Sequence, residues 1–200
     1  MRLYLSSYRL GDDEEAILGL VPVGSRVAVS ANALDGEAAV VREKIVSMER
    51  ELFASLGYVT DELDLRAHFG RATLPAVLSQ HDLVWTTGGN TFVLNTAIRL
   101  SGFDVALRAL LDDDLIAYGG YSAGAVVAGP SLRGVEHADP IDGFPSDYPS
   151  RTPIWSGMGL VDYVVAPHAG DPHIDAMIAE LAHREIPCRP LRDGEVIIVR

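Results

Sequence analysis

The stretch Leu115-Ile-Ala-Tyr-Gly-Gly-Tyr-Ser-Ala-Gly-Ala-Val-Val-Ala-Gly129 decides the fold of this chain. Its first half reads as an apolar strand and its second half as a helix. Gly120-Tyr-Ser-Ala-Gly124, a G-x-S-x-G pattern, stands at the junction. A serine on a sharp strand-to-helix turn projects its hydroxyl clear of the backbone, and small residues two positions to either side relieve the crowding. The helix that follows aims its first N–H groups at the same spot, where developing negative charge is stabilised.

Working outward, strand patterns are expected over 3–7, 26–31, 60–65, 82–87, 115–118, 160–166 and 195–199, the last at or near a sheet edge. Helix patterns are expected over 36–57, 72–80, 91–100, 105–111 and 174–182. In the first of these Ala38, Val41, Ile45, Met48, Leu52 and Leu56 recur at helical spacing, and Gly57 suits a C-cap. Pro130 to Pro153, rich in Pro, Asp, Gly and Ser, reads as an irregular surface excursion. Strands alternating with helices predict an α/β fold, a mostly parallel sheet covered on both faces, as one domain over residues 1–200. Sites in such folds lie at the carboxyl ends of strands. Gly88-Gly89-Asn90, Ser122 and His168 all fall there.

Composition narrows the function. The 200 residues are 48% hydrophobic and 22% charged, enough for a full core and unlike a disordered chain. A formal charge of −12 opposes nucleic-acid phosphates and anionic membranes, so neither is an expected partner. The lone Cys188 rules out an intrachain disulfide. The N-terminal apolar run is too short for a secretory signal and no segment has transmembrane length, so a cytoplasmic location is expected.

Ser122 is the expected nucleophile. His168, after Val164-Val-Ala-Pro167, is the expected base, on a strand that would neighbour the Ser122 strand; imidazole titrates where a serine proton can be taken and returned. An acid must orient the imidazole. Glu136 is preferred, with Asp139 in reserve, because both lie between the serine and the histidine in sequence. Gly88, Gly89, Asn90 and Thr91 combine close backbone approach with a helix N-terminus, so they suit oxyanion and substrate binding, with Asn90 also placed to cap the helix. His168, Asp171, His173 and Asp175 lack the H-E-x-x-H spacing of a zinc helix, and no metal is expected.

Taken together, Thr87-Gly-Gly-Asn-Thr-Phe92, Gly120-Tyr-Ser-Ala-Gly-Ala125 and Ala166-Pro-His168 resemble the peptidase E family of serine peptidases, the aspartyl dipeptidases and cyanophycinases. The resemblance covers most of the chain. It implies a three-layer α/β/α, flavodoxin-like sheet of the class I glutamine-amidotransferase kind. It implies Ser122 as nucleophile, His168 as base, and the amides of Gly89 and Ala123 as oxyanion hole, with no cofactor. Aspartyl dipeptidases carry an aspartate after a Pro-Thr-Ile-Arg segment. Here the segment is Pro130-Ser-Leu-Arg-Gly-Val-Glu-His-Ala-Asp139, which leaves Glu136, or Asp139 after a shift. The arginine-bearing stretch of the aspartyl enzymes is missing, since no arginine falls between His168 and Arg184. That argues against strict aspartyl specificity. The expected activity is hydrolysis of short peptides. A cyanophycinase-like or other acyl hydrolase, and a non-catalytic binding domain on the same scaffold, are the alternatives. The oligomeric state is open, a homodimer included.

Overall fold

A computed structural model describes residues 1–200. Six strands form the central sheet in the order β3 (Val59–Glu62), β2 (Arg26–Ser30), β4 (Leu83–Thr86), β5 (Ala117–Tyr121), β1 (Arg2–Ser6), β8 (Val196–Val199). All neighbours are parallel except β1 and β8. β2, β4 and β5 lie inside the sheet, and their apolar runs are buried on both faces, as a doubly covered parallel sheet requires. Side chains alternate between the faces. Leu3, Leu5, Ala28, Val84 and Tyr118 enter one core, and Tyr4, Val27, Val29, Trp85 and Tyr121 the other.

The first core is covered by α3 (Thr91–Ser101), α4 (Phe103–Asp112) and the short α5 (Ala123–Val126). The second is covered by α1 (Ala39–Ser55) and the 3-10 turn Glu14–Gly19. α2 (Leu74–Leu78), with Pro75 in its first turn, links β3 to β4. These layers give the expected α/β fold. No helix is long and apolar enough to cross a membrane.

Three expectations need correction. β6 (Val164–Ala166) does not join the Ser122 strand. It pairs with β7 (Cys188–Pro190), which the sequence did not suggest, in a separate two-stranded parallel sheet, with α6 (Pro172–His183) between them in the chain. β5 already has β4 and β1 on its two sides.

The buried stripe of α1 is also not the expected one. Arg42, Val46, Glu49 and Phe53 face inward, whereas Val41 and Met48 are 42% and 37% exposed. The inward charges have partners. Arg42 donates to Asp35 at 3.1 Å and to Glu62 at 2.7 Å. Glu49 accepts from Arg9 Nε and Trp85 Nε1, each at 3.1 Å. Periodicity ranks stripes by hydrophobicity, so it cannot foresee charges whose partners come from other elements.

The third correction concerns the excursion 130–153, whose backbone is irregular as expected but which is not merely a surface loop. Tyr148 is buried there and its hydroxyl donates to Asp35 Oδ2 at 2.7 Å.

Candidate active site

Ser122 follows β5 directly, with φ 51° and ψ −117°, a conformation that a non-glycine residue holds only under constraint. Its amide is anchored to the carbonyls of Ser6 and Ser7 at 3.2 and 3.1 Å. A Cβ on Gly124 would collide with the Thr86 carbonyl, so glycine is needed there for the elbow to pass this close to β4. The hydroxyl is thereby held at the carboxyl edge of the sheet.

His168, two residues beyond β6 and also in a left-handed conformation (φ 58°), faces it. His168 Nε2 lies 3.0 Å from Ser122 Oγ, and His168 Nδ1 lies 2.6 Å from Asp193 Oδ1. An ionised carboxylate only accepts hydrogen bonds. Nδ1 therefore carries the ring proton, and the Nε2 lone pair faces the serine hydroxyl.

Asp193 takes the position expected of Glu136 or Asp139. Glu136 is exposed in the 3-10 turn Val135–His137 and makes no bond to the His168 ring. Asp139 is on the wall of the neighbouring cavity, where it accepts from the Thr91 amide at 2.8 Å. Asp193 reaches the histidine because β8 is antiparallel. The parallel strands of the sheet end at this edge, so an antiparallel strand begins there; Val196 pairs with Ser6, and the turn before it lies at the site. The β6–β7 pair closes the arrangement, because the amides of Leu191 and Ala169 bond Ala166 and Leu191 carbonyls at 2.8 and 2.9 Å.

Ser7, fully buried at the end of β1, touches all three groups. Its carbonyl receives the Ser122 amide. Its hydroxyl accepts from the His168 amide at 2.8 Å and donates to Asp193 Oδ1 at 2.8 Å. Asp193 is largely exposed. The slight burial it has raises its pKa, but hydrogen bonds from Ser7 and His168 and the histidine charge outweigh that and hold the carboxyl below its usual range. Tyr8 lies alongside, its ring centroid 6.5 Å from that of His168. Neither Ser7 nor Asp193 was foreseen. Ser7 had one usable signal, its place at the carboxyl end of a strand. Asp193 had none beyond the turn Arg192-Asp-Gly194.

Gly88 and Gly89 follow β4 at the same edge. Gly89 has φ 135°, and a Cβ on it would come within 2.6 Å of the Ala33 carbonyl oxygen. A Cβ on Gly88 would come within 3.0 Å of Ser122 Cβ and of the Tyr121 ring. The amides of Gly89 and Ala123 donate to no backbone carbonyl. Asn90 caps α3, accepting from the Val93 amide at 3.0 Å, and its Nδ2 donates to the Pro140 carbonyl at 2.8 Å. Its side chain is thus committed to the fold, while Thr91 lines the cavity. Asp171 caps α6 through the His173 amide, and Asp175 accepts from the Gly170 amide. Both carboxylates are used locally, and no three potential ligands converge on a metal position.

A cavity of about 270 Å³ opens beside Ser122 and His168. Val126, Val135, Ile174 and Met177 form its apolar lining, and Asp139 stands on its wall.

An α/β sheet with a serine on a strained strand-to-helix turn, facing a histidine, defines a hydrolase-type scaffold. The model of peptidase family S51 matches residues 37–200, and the chain belongs to that family; it is a peptidase. Among similar proteins, a peptidase E of Streptomyces coelicolor is 30% identical over 159 residues, 79% of this chain and 57% of the relative. An uncharacterized peptidase of Pasteurella multocida is 27% identical over 153 residues, 75% of this chain and 70% of the relative. A crystal structure of a candidate peptidase E protein from Listeria monocytogenes superposes with a TM-score of 0.77 at 23% identity, covering 100% of this chain and 98% of that one. A peptidase from an acI-B1 Actinobacterium gives a TM-score of 0.70 at 15% identity, covering 100% and 83%. At these identities the two structures speak for the fold.

Proposed function

We propose that the chain is a serine peptidase of dipeptidase type, hydrolysing short peptides through Ser122, His168 and Asp193. The observation that carries this reading is the continuous hydrogen-bonded line from Ser122 Oγ through both ring nitrogens of His168 to Asp193, at 3.0 and 2.6 Å.

In the reaction, Ser122 Oγ attacks the carbonyl carbon of the scissile bond as Nε2 of His168 takes its proton. Asp193 holds the imidazole in the right tautomer and stabilises its charged form. The carbonyl oxygen becomes an oxyanion, received by the amides of Gly89 and Ala123. His168 then protonates the departing amine, the C–N bond breaks, and the acyl group is left as an ester on Ser122. Water enters, gives a proton to His168, and attacks the ester carbon. The acid leaves and Ser122 regains its proton from His168.

Two features favour a short substrate. The cavity lies just below the roughly 300–1,000 Å³ of ligand pockets. The excursion over residues 130–153 adds Val135, Ala138 and Asp139 to its wall, beside the catalytic pair.

A fluorophosphonate, which reacts with an activated serine, tests the reading. Stoichiometric labelling that disappears in Ser122→Ala is expected. Failure of the folded wild-type protein to react would overturn it.

A further inference from the structure

We infer that the cavity takes the N-terminal residue of a short peptide, an apolar side chain beside a free α-ammonium, with Asp139 as the counter-ion of that ammonium. The substrates are then peptides beginning with residues such as leucine or methionine, and peptides beginning with aspartate are disfavoured. The inference rests on the serine-peptidase reading above.

Geometry comes first. In an N-terminal residue the ammonium nitrogen is two bonds from the carbonyl carbon that the nucleophile attacks. Its counter-ion must therefore lie on the wall of the nucleophile's own cavity. Asp139 lies there with Ser122 and His168. The other lining carboxylate, Asp171, is already committed to the first turn of α6.

Charge points the same way. No lysine or arginine lines the cavity, and Asp139 has no cationic side chain within ion-pair distance. Its support is Thr91, whose amide donates at 2.8 Å from the N-terminus of α3. Burial raises its pKa, with Thr91 and the His168 charge only partly opposing that. A desolvated carboxylate of this kind gains from a bound cation. The other groups there that can carry positive charge are the imidazoles of His168 and His173; with no lysine or arginine beside it, a substrate carboxylate in the same space would be set against Asp139, which is discrimination by repulsion. The apolar lining of Val126, Val135, Ile174 and Met177 supplies the remaining preference, since burying an aliphatic side chain there removes apolar surface from water on both sides.

The test compares kcat/KM on the wild-type protein for three dipeptide sets: N-terminal leucine or methionine, N-terminal aspartate, and the leucine set N-acetylated. The leucine and methionine peptides are expected to exceed the aspartate peptides by about 10-fold or more. Acetylation is expected to lower the rate by about 10- to 100-fold, the range for losing one hydrogen bond to a charged group. In Asp139→Asn the free-amine peptides should fall by a similar factor and the gap to the acetylated ones should narrow. If that variant does not fold, the wild-type series still decides.

A preference for aspartate, or equal cleavage of acetylated peptides, would overturn the inference. Fluorophosphonate labelling of the same wild-type sample separates the two levels. Labelling with the wrong preference sinks this inference alone. No labelling sinks the serine-peptidase reading and this inference with it.

Discussion

Ser7 Oγ donates to Asp193 Oδ1 at 2.8 Å while accepting the His168 amide at the same distance. One buried hydroxyl thus ties the acid to the histidine's backbone, across three segments far apart in the chain. Asp193 is mostly exposed, so without this tether its carboxylate would exchange the imidazole for water. Ser7→Ala is expected to lower kcat by about 10- to 100-fold with KM changed less, since a misaligned imidazole weakens proton transfer more than ground-state binding. Steady-state kinetics on a dipeptide checks this. An equal change in KM with kcat intact would assign Ser7 to substrate binding instead.

Asp193 and Glu136 provide a direct contrast. Asp193→Asn keeps the size of the side chain but removes the charge that fixes the histidine tautomer. A loss of up to about 10⁴-fold in kcat is expected, the size of the effect when a triad aspartate is replaced by asparagine. Glu136→Ala, in an exposed turn away from the imidazole, should change kcat less than about twofold. The reverse ranking would return the acid to the excursion.

Gly89 has both a positive φ and no room for a Cβ against Ala33. Gly89→Ala is expected to destabilise the protein by about 1–3 kcal/mol through backbone strain and overpacking. Its kcat should fall as well, by up to about 10²–10³-fold if the amide is displaced from the oxyanion. Thermal unfolding and kcat measured together check both effects.

Selection for the free amine should depend on pH with a defined sign. Asp139 has a pKa raised by burial, so it takes its proton at a higher pH than an ordinary aspartate. Once protonated, it no longer attracts an ammonium. The ratio of kcat/KM for free-amine over N-acetylated peptide should therefore fall on acidification through that raised value. It should fall again above about pH 8 as the peptide amine deprotonates. A ratio flat from pH 4 to 9 would contradict the role given to Asp139.

Glu49 is buried in the second core, where it accepts from Trp85 Nε1 and Arg9. Burial raises its pKa against the opposing effects of Arg9 and Trp85. By linkage, a carboxyl whose folded pKa is raised binds its proton more tightly when folded. This group's contribution to stability then rises as pH falls through the raised folded value and is complete below the ordinary carboxylate range, and it is lost as pH rises above the folded value. Glu49→Ala removes the acceptor of a buried indole N–H and leaves a void. Destabilisation of about 2–4 kcal/mol in denaturant titrations is expected at neutral pH. A change under about 0.5 kcal/mol would show that the charge is dispensable.

Much of this protein is readable residue by residue. The alternation of apolar strands and helices predicts the layered parallel sheet, because side-chain periodicity is a local property of the backbone. Ser122, His168 and the Gly88-Gly89 turn are legible for a related reason. In a parallel sheet strand ends share one edge, so a reactive residue just after a strand is at that edge whichever strand carries it. Asn90 is legible as a helix cap.

The identity of the acid is not local. Asp193 lies 25 residues beyond His168 and comes to it only because β8 runs antiparallel to β1 and because β6 leaves the main sheet to pair with β7. Strand direction and partner are global packing choices and leave no mark on the spacing of residues. The same holds for Arg42 and Glu49, charges on the buried face of α1 whose partners come from other elements. It holds too for Asp139, whose place on the cavity wall depends on how the 130–153 excursion folds back over α3. The sequence alone therefore determined the layers and the placement of Ser122 and His168 at one edge of the sheet. Only the tertiary structure decided which carboxylate bonds the His168 ring and which one lines the cavity beside Ser122, because both depend on contacts between segments far apart in the chain.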